Sequence, residues 1–216
     1  MKRFMTFALC LAAGIASLAS CCNSSKTAAG SLDNAAIQNI LSRKSVRSFT
    51  DQEVTEEQMN VLLRAAMAAP SGRDIRPWSF VVLRDKSQYP RIFGEKNNNM
   101  RIFNKAAAVV VICADTTVVM KARKDPDRSM TIQPNGTWRD DMGACTENFL
   151  LAAESLGLGA VWTACYPYPD RYVSVKKELG LPEEVMPYSV IAVGWPDTLY
   201  QPKDKWDPER IHYDKW

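Results

Sequence analysis

Ala69-Pro70-Ser71-Gly72-Arg73-Asp74-Ile75-Arg76-Pro77-Trp78-Ser79-Phe80 passes from a helical pattern, through a turn of Pro, Ser and Gly, straight into an apolar strand. Upstream, residues 55–68 predict a helix. Thr55-Glu56-Glu57-Gln58 has the form of a capping box, and Met59, Leu62, Leu63, Ala66 and Met67 fall on one face. Downstream, Phe80-Val81-Val82-Leu83 predicts a strand. Arg73, Asp74 and Arg76 sit where the helix has ended and the strand has not begun. Loops held between rigid elements commonly carry binding groups, although a connector whose charges only face water reads the same way.

The same alternation extends in both directions. Residues 34–42 predict a helix with Ala36, Ile37, Ile40 and Leu41 on one face, and Asp85 to Phe93 a short one. Residues 106–114 form a continuous apolar run, the mark of a strand covered on both faces. Residues 115–137, interrupted by Pro126, Pro134 and Gly136, predict no regular structure and read as a lid, a partner contact or a mobile insertion. A long helix follows over 140–156, with Met142, Cys145, Phe149, Ala152 and Ala153 as its buried stripe and Gly157-Leu158-Gly159 as its stop. Then come a strand at 160–165, a helix at 170–179 and a strand at 188–193 ending in Gly194-Trp195-Pro196, whereas 201–216 shows no period. Helices alternating with strands point to an α/β or α+β sandwich with helices over a central sheet. Neither a GxGxxG nor a P-loop is present, so any nucleotide is held by another device.

The totals exclude several functions. A chain of 216 residues suits one domain, or one that borrows core from a partner. A net charge of +3 without a basic run argues against nucleic acid. His212 is the only histidine and no Cys-x-x-Cys occurs, which argues against zinc. Residues 1–20 read as an export signal, with Lys2 and Arg3 ahead of an apolar run too short to span a bilayer comfortably. Leu18-Ala19-Ser20-Cys21 resembles the lipobox of bacterial lipoproteins, which implies cleavage before Cys21 and lipid attachment to it, on the periplasmic or outer-membrane face of the cell envelope. Plain secretion and a retained anchor are the other outcomes. Residues 21–33 read as a flexible tether and 34–216 as the folded domain. Cys113, Cys145 and Cys165 lie in apolar surroundings where thiols are buried and inert.

Arg43-Lys44-Ser45-Val46-Arg47-Ser48-Phe49 places three cations and two hydroxyls within six residues as the chain leaves a helix. Such a set can enclose a phosphate, or simply form a solvated loop. Together with three other segments it resembles the FMN-dependent nitroreductase family. Residues 43–47 look like its Arg-x-Ser-x-Arg phosphate segment, and 69–78 like its Ala-Pro-Ser-x-x-Asn-x-Gln-Pro-Trp loop. Residues 147–159 are similar to its long helix and glycine turn. Val193-Gly194-Trp195-Pro196 with Lys203-Asp204-Lys205 is similar to its Gly-Tyr-Pro strand end and Lys-x-Arg phosphate contact.

The resemblance implies an α+β three-layer sandwich with a central, mostly antiparallel sheet flanked by helices. It implies a homodimer with two FMN molecules in its interface, each touched by both chains. By position, Arg43, Lys44, Ser45 and Arg47 would hold the phosphate from one side and Lys203 and Lys205 from the other, while Pro70, Ser71 and Asp74 would line the ring. It also implies ping-pong transfer of electrons from a nicotinamide donor, NAD(P)H, to a quinone or nitroaromatic acceptor, with no catalytic side chain. Two positions depart from the family: its Asn is Asp74 here and its Gln is Arg76. A carboxylate only accepts hydrogen bonds, so Arg76 or Arg73 is expected to supply the missing donor or neutralise the acid, and the pair to tune the reduction potential. An exported enzyme meets little NAD(P)H, which leaves a quinol or another redox protein as a further donor. An FMN-binding protein without turnover, or a non-enzymatic envelope lipoprotein, are the readings from other classes.

Overall fold

The computed structural model describes residues 34–121 and 130–216; the export signal, Cys21 with its lipobox, and the tether lie outside the described residues. In chain order the elements are α1 (Ala35–Ser42), α2 (Glu56–Met67), β1 (Trp78–Leu83), α3 (Tyr89–Phe93), α4 (Met100–Lys105), β2 (Ala108–Asp115), β3 (Thr117–Lys121), β4 (Met130–Pro134), α5 (Trp138–Ser155), β5 (Gly159–Ala164), α6 (Pro169–Glu178) and β6 (Val185–Gly194). Four strands form one sheet in the order β1-β2-β6-β5, and every pairing in it is antiparallel. The helix–strand alternation in sequence thus serves an antiparallel sheet, giving the α+β arrangement that the resemblance implied.

Side-chain alternation along β2 separates two cores. Ala108, Val110, Ile112 and Ala114 pack with Met59, Leu62 and Ala66 of α2 and with Met142, Cys145, Phe149 and Ala153 of α5. Val109, Val111 and Cys113 face the other way, toward Tyr89, Ile92 and Phe93 of α3, Phe103 of α4 and Val175 of α6. A strand buried on both faces has no room for polar residues, which is why β2 reads as an unbroken apolar run. The capping box forms as expected: the Thr55 hydroxyl accepts the Gln58 N–H at 3.1 Å, and the Gln58 side chain accepts the Thr55 N–H at 3.0 Å.

Three expectations change. Residues 115–137 are not irregular where described, because β3 and β4 pair antiparallel from Thr117–Pro134 to Lys121–Met130. Two five-residue strands are too short to announce themselves by period. The helix α4 was hidden for the same reason, behind Asn97-Asn98-Asn99. The apolar face foreseen for α1 exists but is uncovered, with Ile37 42%, Ile40 52% and Leu41 71% exposed. The Asn39 side chain ties α1 to the Leu151 carbonyl of α5 at 3.0 Å, yet no residue of α1 is buried.

The segment after α1 borders the sheet. Ser45 bridges Ala160 in parallel, and the Val46 N–H donates to the Ala160 carbonyl at 3.0 Å. Val46 is buried so close to β5 that a Cβ on Gly159 would lie 2.5 Å from Val46 Cγ1 and 2.6 Å from its Cβ. Gly159→Ala should therefore force this segment off the edge. The expected cost is about 1–3 kcal/mol, a drop of roughly 2–10 °C in thermal midpoint, measurable by circular dichroism. An unchanged midpoint would show that the segment is not anchored there.

Candidate functional site

The anchoring of residues 45–50 decides where the cations go. Beyond Val46, Phe49 bridges Pro196 and the Thr50 N–H donates to the Trp195 carbonyl at 2.8 Å. The Ser48 hydroxyl donates to the Asp197 carboxylate. The chain leaving α1 and the chain leaving β6 therefore run side by side, and the tail carries Lys203 and Lys205 back to the basic segment. Arg43, Lys44, Ser45 and Arg47 line one cavity of about 280 Å³ with Tyr200, Gln201, Lys203 and Lys205. All the residues assigned by position to a phosphate are thus brought together, from opposite ends of the domain.

The charges in this cavity are partly balanced from below. The Arg43 Nε lies 2.8 Å from Glu147 Oε1, and the Lys44 Nζ 2.6 Å from Glu154 Oε1, both carboxylates on α5. Lys44 also donates to the Ser42 carbonyl at 3.4 Å. Arg47, Lys203 and Lys205 pair with no carboxylate among the described residues. Asp204, between the two lysines, accepts the Trp206 N–H at 2.9 Å. Five cations, a hydroxyl and two partial counter-ions match a phosphate monoester of nearly two negative charges.

The loop of residues 70–77 is held elsewhere, at the N-terminus of α5. The Gly72 N–H donates to Asp141 Oδ1 at 2.8 Å, and Asp141 is buried at 5% exposure. The Thr137 hydroxyl lies 3.2 Å from the other Asp141 oxygen. A Cβ on Gly72 would sit 2.3 Å from that hydroxyl oxygen, so only glycine permits this approach. Ser71 turns the chain, its carbonyl accepting the Asp74 N–H and its hydroxyl the Arg76 N–H, each at 3.0 Å. Arg73, Asp74 and Arg76 have φ of 55°, 57° and 55°, left-handed backbone that non-glycine residues seldom adopt.

Asp74 and Arg76 face each other in a bidentate pair, Nε to Oδ1 at 2.7 Å and Nη2 to Oδ2 at 2.5 Å. Arg76 is thus the partner that neutralises the acid. Its hydrogen bonds hold the Asp74 carboxyl below the usual carboxylate range, and the carboxylate raises the guanidinium in return. Pro70, Ser71 and Asp74 do not line the basic cavity. Arg76 instead borders a second one of about 440 Å³ with Pro77, Trp78, Asp115 and Thr117.

The sequence did not single out Asp141, Thr137, Glu147 or Glu154. Glu147 and Glu154 are two turns apart on one helix face, a spacing legible in the sequence, but their partners come from a segment about a hundred residues earlier. The thiols of Cys113, Cys145 and Cys165 are free, buried and pushed up to about 12 by that burial, which removes them as nucleophiles. Trp138 and Tyr166 pack edge to face at 4.9 Å, with the Arg139 guanidinium 4.8 Å over Trp138 and donating to the Tyr166 hydroxyl at 3.0 and 3.1 Å.

A fold of this form recurs in known proteins. Residues 40–195 match the model of the Nitroreductase family, and the chain belongs to that family. It is 37% identical over 180 residues to a protein of Methanothermobacter thermautotrophicus provisionally named as an NADH dehydrogenase/NAD(P)H nitroreductase, covering 83% of this chain and 87% of that one. A Parabacteroides distasonis structure with the same provisional name is 41% identical, with a TM-score of 0.74 over 85% of this chain and all of that chain. The NADPH:FMN oxidoreductase of Vibrio harveyi, solved with NAD+, is 26% identical with a TM-score of 0.69, covering 85% of this chain and 78% of that one.

The Asp74–Arg76 pair gives a pH test. Because the folded-state value is depressed, the stabilisation it brings is present above the usual carboxylate value of 3.8 and lost as pH falls through the lower folded value. Carboxyl NMR should show Asp74 titrating below 3.8, and Arg76→Gln should move it back up. A wild-type midpoint at or above 3.8 would exclude the pair in solution.

Proposed function

We propose that this protein is an FMN-dependent NAD(P)H oxidoreductase of the nitroreductase kind, passing electrons by a ping-pong route to quinone or nitroaromatic acceptors. The observation that carries it is the cavity in which Arg43, Lys44, Ser45 and Arg47 meet Lys203 and Lys205. FMN, when bound, supplies the two-electron relay between donor and acceptor. The chain's own groups bind and orient: Ser45, Arg47, Lys203 and Lys205 would hold the phosphate, with Arg43 and Lys44 already leaning on α5. Pro70, Ser71, Asp74 and Arg76 would line the ring. A carboxylate already held by Arg76 presents little net charge there, so the pair would face a bound flavin as a dipole rather than a bare anion.

The assembly we propose is a homodimer with the cofactor in the interface. Three observations support it. The apolar face of α1 is uncovered, Leu199, Trp206, Tyr213 and Trp216 in the tail are 95%, 73%, 84% and 101% exposed, and no residue of the 70–77 loop lines the basic cavity of its own chain. A second chain would cover the first two and complete the third. The N-terminal sequence supports lipid attachment at Cys21 and residence at the cell envelope, where a quinol is an alternative donor to NAD(P)H.

Absorbance tests the cofactor directly. Purified protein, or protein incubated with FMN, should show flavin peaks that NADPH or NADH bleaches anaerobically. Protein that stays colourless removes the flavin reading; yellow protein that neither nucleotide bleaches removes the nicotinamide donor alone. Lys203→Ala and Lys205→Ala should each weaken FMN binding by about tenfold, the scale of one charge-assisted contact, while leaving riboflavin, which lacks the phosphate, unaffected.

A further inference from the structure

We infer that Glu154 is a built-in competitor for the cofactor's phosphate, a positioning residue that holds Lys44 on α5 and limits how tightly the basic cavity grips its anion. The inference rests on the flavin reading above and concerns how its phosphate end is tuned.

Glu154 lies in the last turn of α5, where the helix's carbonyl ends make a carboxylate unfavourable, and that turn contains no basic residue of its own. The compensation comes from outside the helix. The Lys44 Nζ sits 2.6 Å from Glu154 Oε1, and the two side chains are only 24% and 14% exposed. Partial burial strengthens this attraction relative to a surface pair. Lys44 also lines the basic cavity with Arg47, Lys203 and Lys205. Of its ammonium donors, one is directed at Glu154 and another at the Ser42 carbonyl at 3.4 Å. A bound phosphate therefore meets an ammonium that is already engaged, beside a carboxylate that repels it.

Glu147 does the same for Arg43 from two turns earlier on the same face, but its side chain is 42% exposed, so solvent screens it more. Glu154 is the better-shielded of the two counter-charges and the one whose removal should be felt. Removing it leaves the fold's other ties between this region and α5 in place: the Asn39 bond to the Leu151 carbonyl and the Arg43–Glu147 pair.

The test compares FMN with riboflavin on flavin-stripped protein, with Glu154→Gln as the main variant and Glu154→Asp, which withdraws the carboxylate by one methylene, as the second. Glu154→Gln should tighten FMN about three- to tenfold, the range of a partly shielded ion pair. Riboflavin affinity should stay unchanged, and Glu154→Asp should fall between wild type and Glu154→Gln. In a Lys44→Gln background the gain should shrink, because the two residues act as a unit. If Glu154→Gln folds poorly, the Glu154→Asp comparison and the coupling to Lys44 decide the matter. FMN binding that is unchanged or weaker in the variants, or riboflavin binding that rises equally, overturns the competition while leaving the flavin site standing. Wild-type protein that binds neither flavin overturns both readings together.

Discussion

Val46 occupies the space that a side chain on Gly159 would fill, and the rest of the site depends on that contact. Because Gly159 is bare, the chain leaving α1 can lie against the edge of β5 and hydrogen-bond to Ala160. Once there, it continues as a border of the sheet and captures the exit of β6 through Thr50–Trp195 and Phe49–Pro196. Nothing in the basic residues themselves would gather them: like charges repel, and long side chains lose rotamer freedom when ordered. The apolar and backbone contacts beneath them oppose that repulsion, and the cavity is what results above.

The helix α5 is the second organising element, because both halves of the candidate site are fastened to it. Its first turn offers Asp141, whose buried carboxylate is matched by the Gly72 N–H and the Thr137 hydroxyl. Its later turns offer Glu147 and Glu154 to Arg43 and Lys44. The interior of the same helix, Met142, Cys145, Phe149 and Ala153, is core against the sheet. A single helix thus fixes the 70–77 loop at one end and tempers the cations Arg43 and Lys44 toward the other. A shift of α5 would be felt at both, so local changes in its packing should not stay local.

Much of this was legible in the sequence, for physical reasons. Long elements showed their periods, β2 its double burial, and the cations of 43–47 their clustering. The hairpin β3–β4 and the helix α4 were not legible, since five or six residues hold too few repeats to distinguish a period from chance. The uncovered face of α1 looked from sequence like an ordinary core face, because an amphipathic pattern does not say whether this domain covers the face. The ion pairs with α5 were invisible for a related reason: a Glu two turns from another reads as a solvated helix surface until the segment that covers it is placed.

The loop holds Asp74 and Arg76, where the resemblance implied amides, in left-handed backbone. Three residues other than glycine with φ near 55°, Arg73, Asp74 and Arg76, each carry a conformational cost of order 1 kcal/mol or more, so the surroundings must impose the shape. Gly72 and Ser71 supply part of that constraint through Asp141 and the Arg76 N–H. The Asp74–Arg76 fork supplies more, tying residues two apart in the chain with two short bonds. An Asn–Gln pair at these positions would donate and accept outward at a partner molecule, whereas an Asp–Arg pair satisfies itself first. The fork therefore leaves a preorganised, nearly neutral surface on this loop. Either charge alone would stand without its partner in the fork, on a loop whose backbone is already left-handed.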